Sequence, residues 1–160
     1  MKSKPEKATT HFDSLEQEVF LNLWRTYDRL RTLEDALFGA YDLTPQQYNV
    51  LRLLRAAQPE ALQTLTLADQ LVSRAPDITR ILDKLEEHGF ITRKRPHDNR
   101  RVVRVAITAR GLALLTEIGE PLRACHKRQL GHMGEADLKH LARLLRGARG
   151  PHEDNDSPWH

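Results

Sequence analysis

Between Arg93 and Arg104 the chain carries six cationic side chains, Arg93, Lys94, Arg95, Arg100, Arg101 and Arg104, against one acid, Asp98. This local positive field suits a polyanion such as a phosphate backbone, and the whole-chain formal charge of only +3 conceals it. On charge alone, a solvated strand pair is the competing explanation. A second group lies just upstream: Thr79 and Arg80, with Arg74, Pro76 and Asp77 before them and Lys84 after. Hydroxyl and guanidinium groups near the start of a helix can hydrogen-bond base edges when that end enters a major groove.

Both groups need elements to hold them. Thr66 can cap a short helix carrying Leu67, Ala68 and Leu71, the stretch 73–75 breaks it, and Pro76 suits the first position of the next. That second helix, roughly 76–88, places Ile78, Ile81, Leu82 and Leu85 on one apolar face and Asp77, Thr79, Arg80, Asp83, Lys84 and Glu87 on the other, and Gly89 ends it. Residues 90–95 and 102–107 read as two strands, with Val103, Val105 and Ile107 alternating against Val102, Arg104 and Ala106, around a polar tip at 96–101. A very short strand at 64–66 is expected to pair with this hairpin.

Around this centre the spacing predicts four more helices. Asp13 or Ser14 caps the first, whose seam of Leu15, Val19, Leu23, Tyr27, Leu30, Leu33 and Leu37 runs to Gly39. Thr44, Pro45 and Gln47 open the next, which is apolar on two faces. Thr108 caps a third, with Leu112, Leu115, Ile118 and Leu122 inward and a bend or break expected at Pro121. Leu138, Leu141, Leu144 and Leu145 mark the last, ending at Gly147 or Gly150. The first and last two helices have more apolar surface than a lobe of about 70 residues can cover, so something else must bury it: a second copy of the chain or, in a monomer, the terminal helices packing on each other.

The ordered set resembles the winged helix-turn-helix of the MarR transcriptional regulators. Leu67-Ala68-Asp69-Gln70-Leu71 is similar to the family's first motif helix, the stretch from Thr79 to Glu86 to its recognition helix, and Gly89-Phe90-Ile91 to its turn into the wing. The wing motif of an acid, a variable residue and an arginine falls on 98–101. Either Asp98 pairs with Arg100 or Arg101, or Asn99 substitutes with a neutral hydrogen bond. The resemblance implies a mainly α fold with a small β-wing, a DNA-binding lobe plus a terminal-helix dimerisation region. The implied segments are a mobile arm at 1–11, dimerisation helices at 12–43 and 109–150, the winged lobe at 44–108 and a disordered tail at 151–160. It further implies a homodimeric repressor reading a pseudo-palindrome in double-stranded DNA. Arg74, Pro76, Asp77, Thr79 and Arg80 would lie in the major groove, Lys84 at phosphate, and Arg95, Asn99, Arg100 and Arg101 on the wing. Members of this family commonly sense a phenolic or other aromatic acid, for which Trp24, Tyr27, Arg31, Tyr41, Tyr48 and Arg52 are the candidates.

Other classes fare worse. The chain has no GxSxG, HExxH or GxxxxGK motif, and Cys125 and His126, adjacent on a helix, point about 100° apart and cannot act as a dyad. Cys125 is the only cysteine, which excludes an internal disulfide and a four-cysteine zinc site, and His126, His132 and His140 lack a firm ligand spacing. No enzyme activity, cofactor or metal is expected. With no secretory pattern and no apolar run of 18 residues, the expected location is cytoplasmic, without membrane contact. The remaining alternative is a winged helix that binds protein instead of DNA, to which the acids Asp77, Asp83, Glu86 and Glu87 lend weight.

Overall fold

A computed structural model describes residues 11–73, 77–154, 157 and 159. Apart from His11, the arm expected at 1–11 lies outside the described residues, as do Arg74 and Pro76. The elements are α1 (Leu15–Gly39), α2 (Pro45–Ala57), β1 (Leu62–Gln63), α3 (Thr64–Gln70), α4 (Ile78–Glu87), β2 (Ile91–Lys94), β3 (Arg104–Ile107), α5 (Ala109–Leu130) and α6 (Glu135–Arg149), followed by a 3-10 turn at Gly150–His152. The strands form one antiparallel sheet in the order β1-β3-β2, with Leu62 opposite Val105 and Ile91 opposite Ile107.

Local chemistry sets the helix starts. The Ser14 hydroxyl accepts from the Gln17 N–H, while the Gln17 side chain reaches back to Asp13. Thr44 and Gln47 make a reciprocal capping box ahead of Pro45, and Thr108 accepts from the Gly111 N–H. Two expectations about the start of α3 are corrected here. Thr66 is no cap: α3 starts two residues earlier, after Gln63, and the short strand is 62–63, because those residues are the ones that pair with β3. At Pro121, α5 runs on without a break. A proline inside a helix costs about 3 kcal/mol. Ile118, Leu122 and Cys125 are buried on either side of it, and each large apolar side chain so buried contributes about 1.5–3 kcal/mol.

The core joins the lobe to α5: Val50, Leu51 and Leu54 of α2 meet Leu67, Leu82, Leu85 and Val105 together with Leu115 and Ile118 of α5. Of α1, only Phe38 is buried. Leu15, Val19, Phe20, Trp24 and Tyr27 stand exposed along its first half, and α6 buries none of its residues. The described part of the tail, expected to be disordered, folds back on Arg149, which pairs with Glu153 and lies over the Trp159 ring.

Candidate nucleic-acid interface

Helix α4 takes its position from both ends. At its start, Asp77 accepts the Arg80 N–H at 3.1 Å, so the carboxylate that the sequence offered as a base contact serves as the N-cap. At its end, Gly89 adopts φ +74°, while Gly89 N–H and Phe90 N–H return to the carbonyls of Glu86 and Leu85, each at 2.9 Å. This closure needs a residue that tolerates the left-handed region. Leu82 and Leu85 are buried and Ile78 and Ile81 pack on the core, which leaves Thr79, Arg80, Asp83 and Lys84 facing outward.

The turn after α4 is also where α5 begins. Thr108 donates its hydroxyl to the Gly89 carbonyl at 2.7 Å and its N–H to Phe90 O at 3.0 Å. Gly111 packs so closely that a Cβ there would sit 2.4 Å from Phe90 O and 2.7 Å from Ile107 Cγ1. The exit of α4 and the start of α5 therefore share one rigid junction.

Arg93, one of the basic residues of the wing, has a role that its sequence context did not indicate. Its Nη2 lies 2.6 Å from Glu86 Oε2 and 2.7 Å from Asp83 Oδ1, its Nε 2.9 Å from Glu86 Oε2, and its backbone N–H 3.0 Å from Glu86 Oε1. A strand residue thus straps the wing to the outer face of α4, bridging two of that helix's acids and offsetting one of their two charges. The guanidinium holds the Glu86 carboxyl below its ordinary value, with its hydrogen bond the largest cause, and the carboxylates raise Arg93 in turn. Glu87 is likewise engaged, 2.8 Å from Lys84 Nζ, and the hydrogen bond from Lys84 lowers its pKa. The four acids that spoke for a protein partner are occupied as a cap, a strap and a helix pair. Lys84, expected at phosphate, shares its charge with Glu87.

In the wing, Asn99 Oδ1 accepts the Arg101 N–H at 3.2 Å, and Arg95 Nη1 donates to the Arg100 carbonyl at 3.0 Å. Of the two wing alternatives, the neutral Asn99 hydrogen bond is the one present. Arg95 braces the tip, while Arg100 and Arg101 stay exposed. Thr79, Arg95 and Arg101 line a groove of about 250 Å³ together with Gln63 at the end of β1 and Thr64 at the start of α3. The expected pairing of 64–66 with the hairpin pointed Thr64 to this place, where its N–H donates to the Val103 carbonyl at 3.2 Å, whereas Gln63 had no sequence signal.

A larger crevice, about 1200 Å³, opens between α1, α2, α4 and α5. Tyr27, Arg31, Tyr48 and Arg52 of the effector candidates line it; Trp24 and Tyr41 do not. Trp24 packs edge-on against Phe20 on the exposed face of α1, and Tyr41 lies against the lobe core. Tyr48 stacks on Phe38 at 4.8 Å, and Arg52 directs Nε and Nη2 to Asn49 Oδ1 at 3.2 and 2.8 Å. Cys125 is buried, and burial is the main cause that pushes its thiol pKa up, the opposite of a reactive thiolate. Among the described residues there is no group of three potential metal ligands.

An outward polar helix behind a basic two-stranded wing defines a winged helix-turn-helix DNA-binding protein. Comparison with known proteins narrows the class. The MarR family profile matches residues 43–103. The regulator FarR of Neisseria gonorrhoeae is 31% identical over 102 residues, 64% of this chain and 68% of its own. A MarR transcription factor from Planctomyces limnophilus is 52% identical, with a TM-score of 0.69 over 84% of this chain and 98% of that one. The fold is also similar to that of Bordetella bronchiseptica BpsR, whose DNA binding is regulated by 6-hydroxynicotinic acid, at 20% identity and TM-score 0.76 over 86% and 97% of the two chains. The chain belongs to the MarR family: it is a DNA-binding transcriptional regulator, in a family of regulators and not of enzymes.

Proposed function

We propose that the protein is a ligand-responsive homodimeric repressor that binds a pseudo-palindromic operator. The observation that carries this reading is the outward exposure of Thr79 and Arg80 on α4 and of Arg100 and Arg101 on the wing, with Thr79 and Arg101 lining one groove and the α4 acids engaged elsewhere. Residues 44–108 form the DNA-binding lobe, and 12–43 with 109–150 supply the dimer interface. The exposed apolar face of α1 and the unburied α6 support that division, since such a surface is costly to leave in water. Two copies related by a two-fold axis present two α4 helices one DNA turn apart, about 34 Å. Arg74, Pro76, Thr79 and Arg80 then lie in the major groove with Asp77 capping α4 at that end, Lys84 meets phosphate, and Arg95, Asn99, Arg100 and Arg101 hold the wing to the backbone or minor groove.

The effector is an aromatic or phenolic acid bound in the crevice, whose walls come from both the dimerisation helices and the lobe. A ligand that favours one lobe spacing over another shifts DNA affinity by its differential affinity for the two. The protein acts in the cytoplasm; no helix among its described residues is long and apolar enough to cross a membrane. Fluorescence anisotropy of DNA from upstream of its own gene, against a scrambled duplex over a salt series, tests the reading. Binding that is selective for the upstream DNA and weakens steeply with salt is expected; no binding to either duplex at low salt would refute it.

A further inference from the structure

The walls of the crevice hold four arginine or lysine side chains and one histidine, and their partners are distributed unevenly. Arg31 lies 3.1 Å from Asp35, Lys84 2.8 Å from Glu87 and His126 3.2 Å from Glu34, and Arg52 is held by Asn49. Asp77, also on the wall, is engaged as the α4 cap. The Arg80 guanidinium has no hydrogen-bond or ion-pair partner among the described residues. Tyr27, Phe38 and Tyr48 supply aromatic surface in the same space.

An aromatic acid entering this crevice meets rings suited to its own and, in Arg80, a guanidinium with no partner among the described residues to compete for it. We propose that Arg80 is shared by the two sites: it is the counter-charge for an aromatic acid in the crevice and a DNA-reading side chain on α4, so acid and operator exclude each other at one guanidinium. The inference rests on the proposed function and deepens it. A charge-assisted hydrogen bond made to the acid is one that Arg80 cannot make to a base. The two mechanisms of release differ measurably. Coupling through lobe spacing is capped at a fixed factor, the ratio of affinities between two states, so the apparent Kd for DNA levels off as ligand rises. Exclusion at a shared residue has no such cap.

The test uses the full chain and four probes, namely benzoate, salicylate, 6-hydroxynicotinate and neutral benzamide. In calorimetric titrations without DNA, at least one of the acids binds the wild type and benzamide binds more weakly. Arg80→Gln weakens that acid at least about tenfold, the loss expected for a charged hydrogen bond, and Arg100→Gln, on the wing and outside the crevice, leaves it unchanged. In anisotropy, the wild-type Kd for DNA climbs with acid concentration without levelling off. Three results would each overturn the proposal: no acid binds, Arg80→Gln binds acid as the wild type does, or the DNA Kd reaches a plateau. Failure of the acid-free protein to bind DNA counts against the proposed function instead, and the calorimetric arm still decides the crevice chemistry.

Discussion

Replacing Glu86 by alanine cuts the strap between α4 and the wing. The carboxylate accepts from Arg93 at 2.6 and 2.9 Å through the guanidinium and at 3.0 Å through the backbone N–H. Fully shielded, each charge-assisted bond would contribute about 1.5–3 kcal/mol. The Glu86 side chain is 38% exposed, so water replaces much of what is lost, and about 1–2 kcal/mol in total is the expected cost. For a chain of this size each kcal/mol lowers Tm by about 2–4 °C, readable by thermal denaturation. The acid dependence is the sharper arm. Because Arg93 depresses the folded carboxyl below the ordinary 4.5, the strap contributes fully above that value and is lost as pH falls through the folded one. The gap between wild type and Glu86→Ala should therefore hold from pH 7 to about 5.5 and close at lower pH. No gap at pH 7, or a gap that persists once the carboxyl is protonated, would refute the reasoning. Arg93→Ala should reduce DNA affinity further than Glu86→Ala, since it leaves Asp83 and Glu86 uncompensated beside phosphate.

Other expectations can be checked alongside. Gly111→Ala drives a Cβ against Phe90 O at the junction of α4 and α5 and should cost about 2–3 kcal/mol; Gly147→Ala in α6 meets nothing within 4 Å and should stabilise by up to about 1 kcal/mol. Both are read from denaturant midpoints. Phe20→Glu places a charge in the exposed apolar face of α1 and should convert dimer to monomer in light-scattering chromatography; an unchanged mass would remove that face from the interface. Arg80→Ala should weaken binding to operator more than to random DNA, whereas Arg100→Ala should weaken both and flatten the salt slope. Equal losses on the two DNAs for Arg80→Ala would remove it from base reading.

The parts of this fold that were legible in the sequence are those set by neighbours along the chain. Ser14, Thr44 and Thr108 announce their helices because a cap and its partner lie three residues apart, and Gly89 announces the turn because few other residues tolerate its φ. The apolar period of α4 gave its buried face, and therefore its outward one. The strap was hidden, since Arg93 reaches Glu86 and Asp83 only after the chain has reversed at Gly89, and no periodicity pairs a strand residue with the preceding helix. For the same reason Arg93 read as part of the free basic run. The start of α3 was misplaced because Gln63 caps nothing with its side chain and pairing with β3 sets the boundary. Tyr27, Arg31, Tyr48 and Arg52 meet in the crevice while Trp24 and Tyr41 do not, a distinction that depends on how α1 crosses the lobe.

The most direct test of the central claim is selection of duplexes by the purified protein from a random-sequence pool, followed by sequencing of the bound fraction. Two outward α4 helices on a two-fold dimer predict an enriched inverted repeat with half-site centres about 10 bp apart. Enrichment of a single half-site, or none over the starting pool, would contradict it.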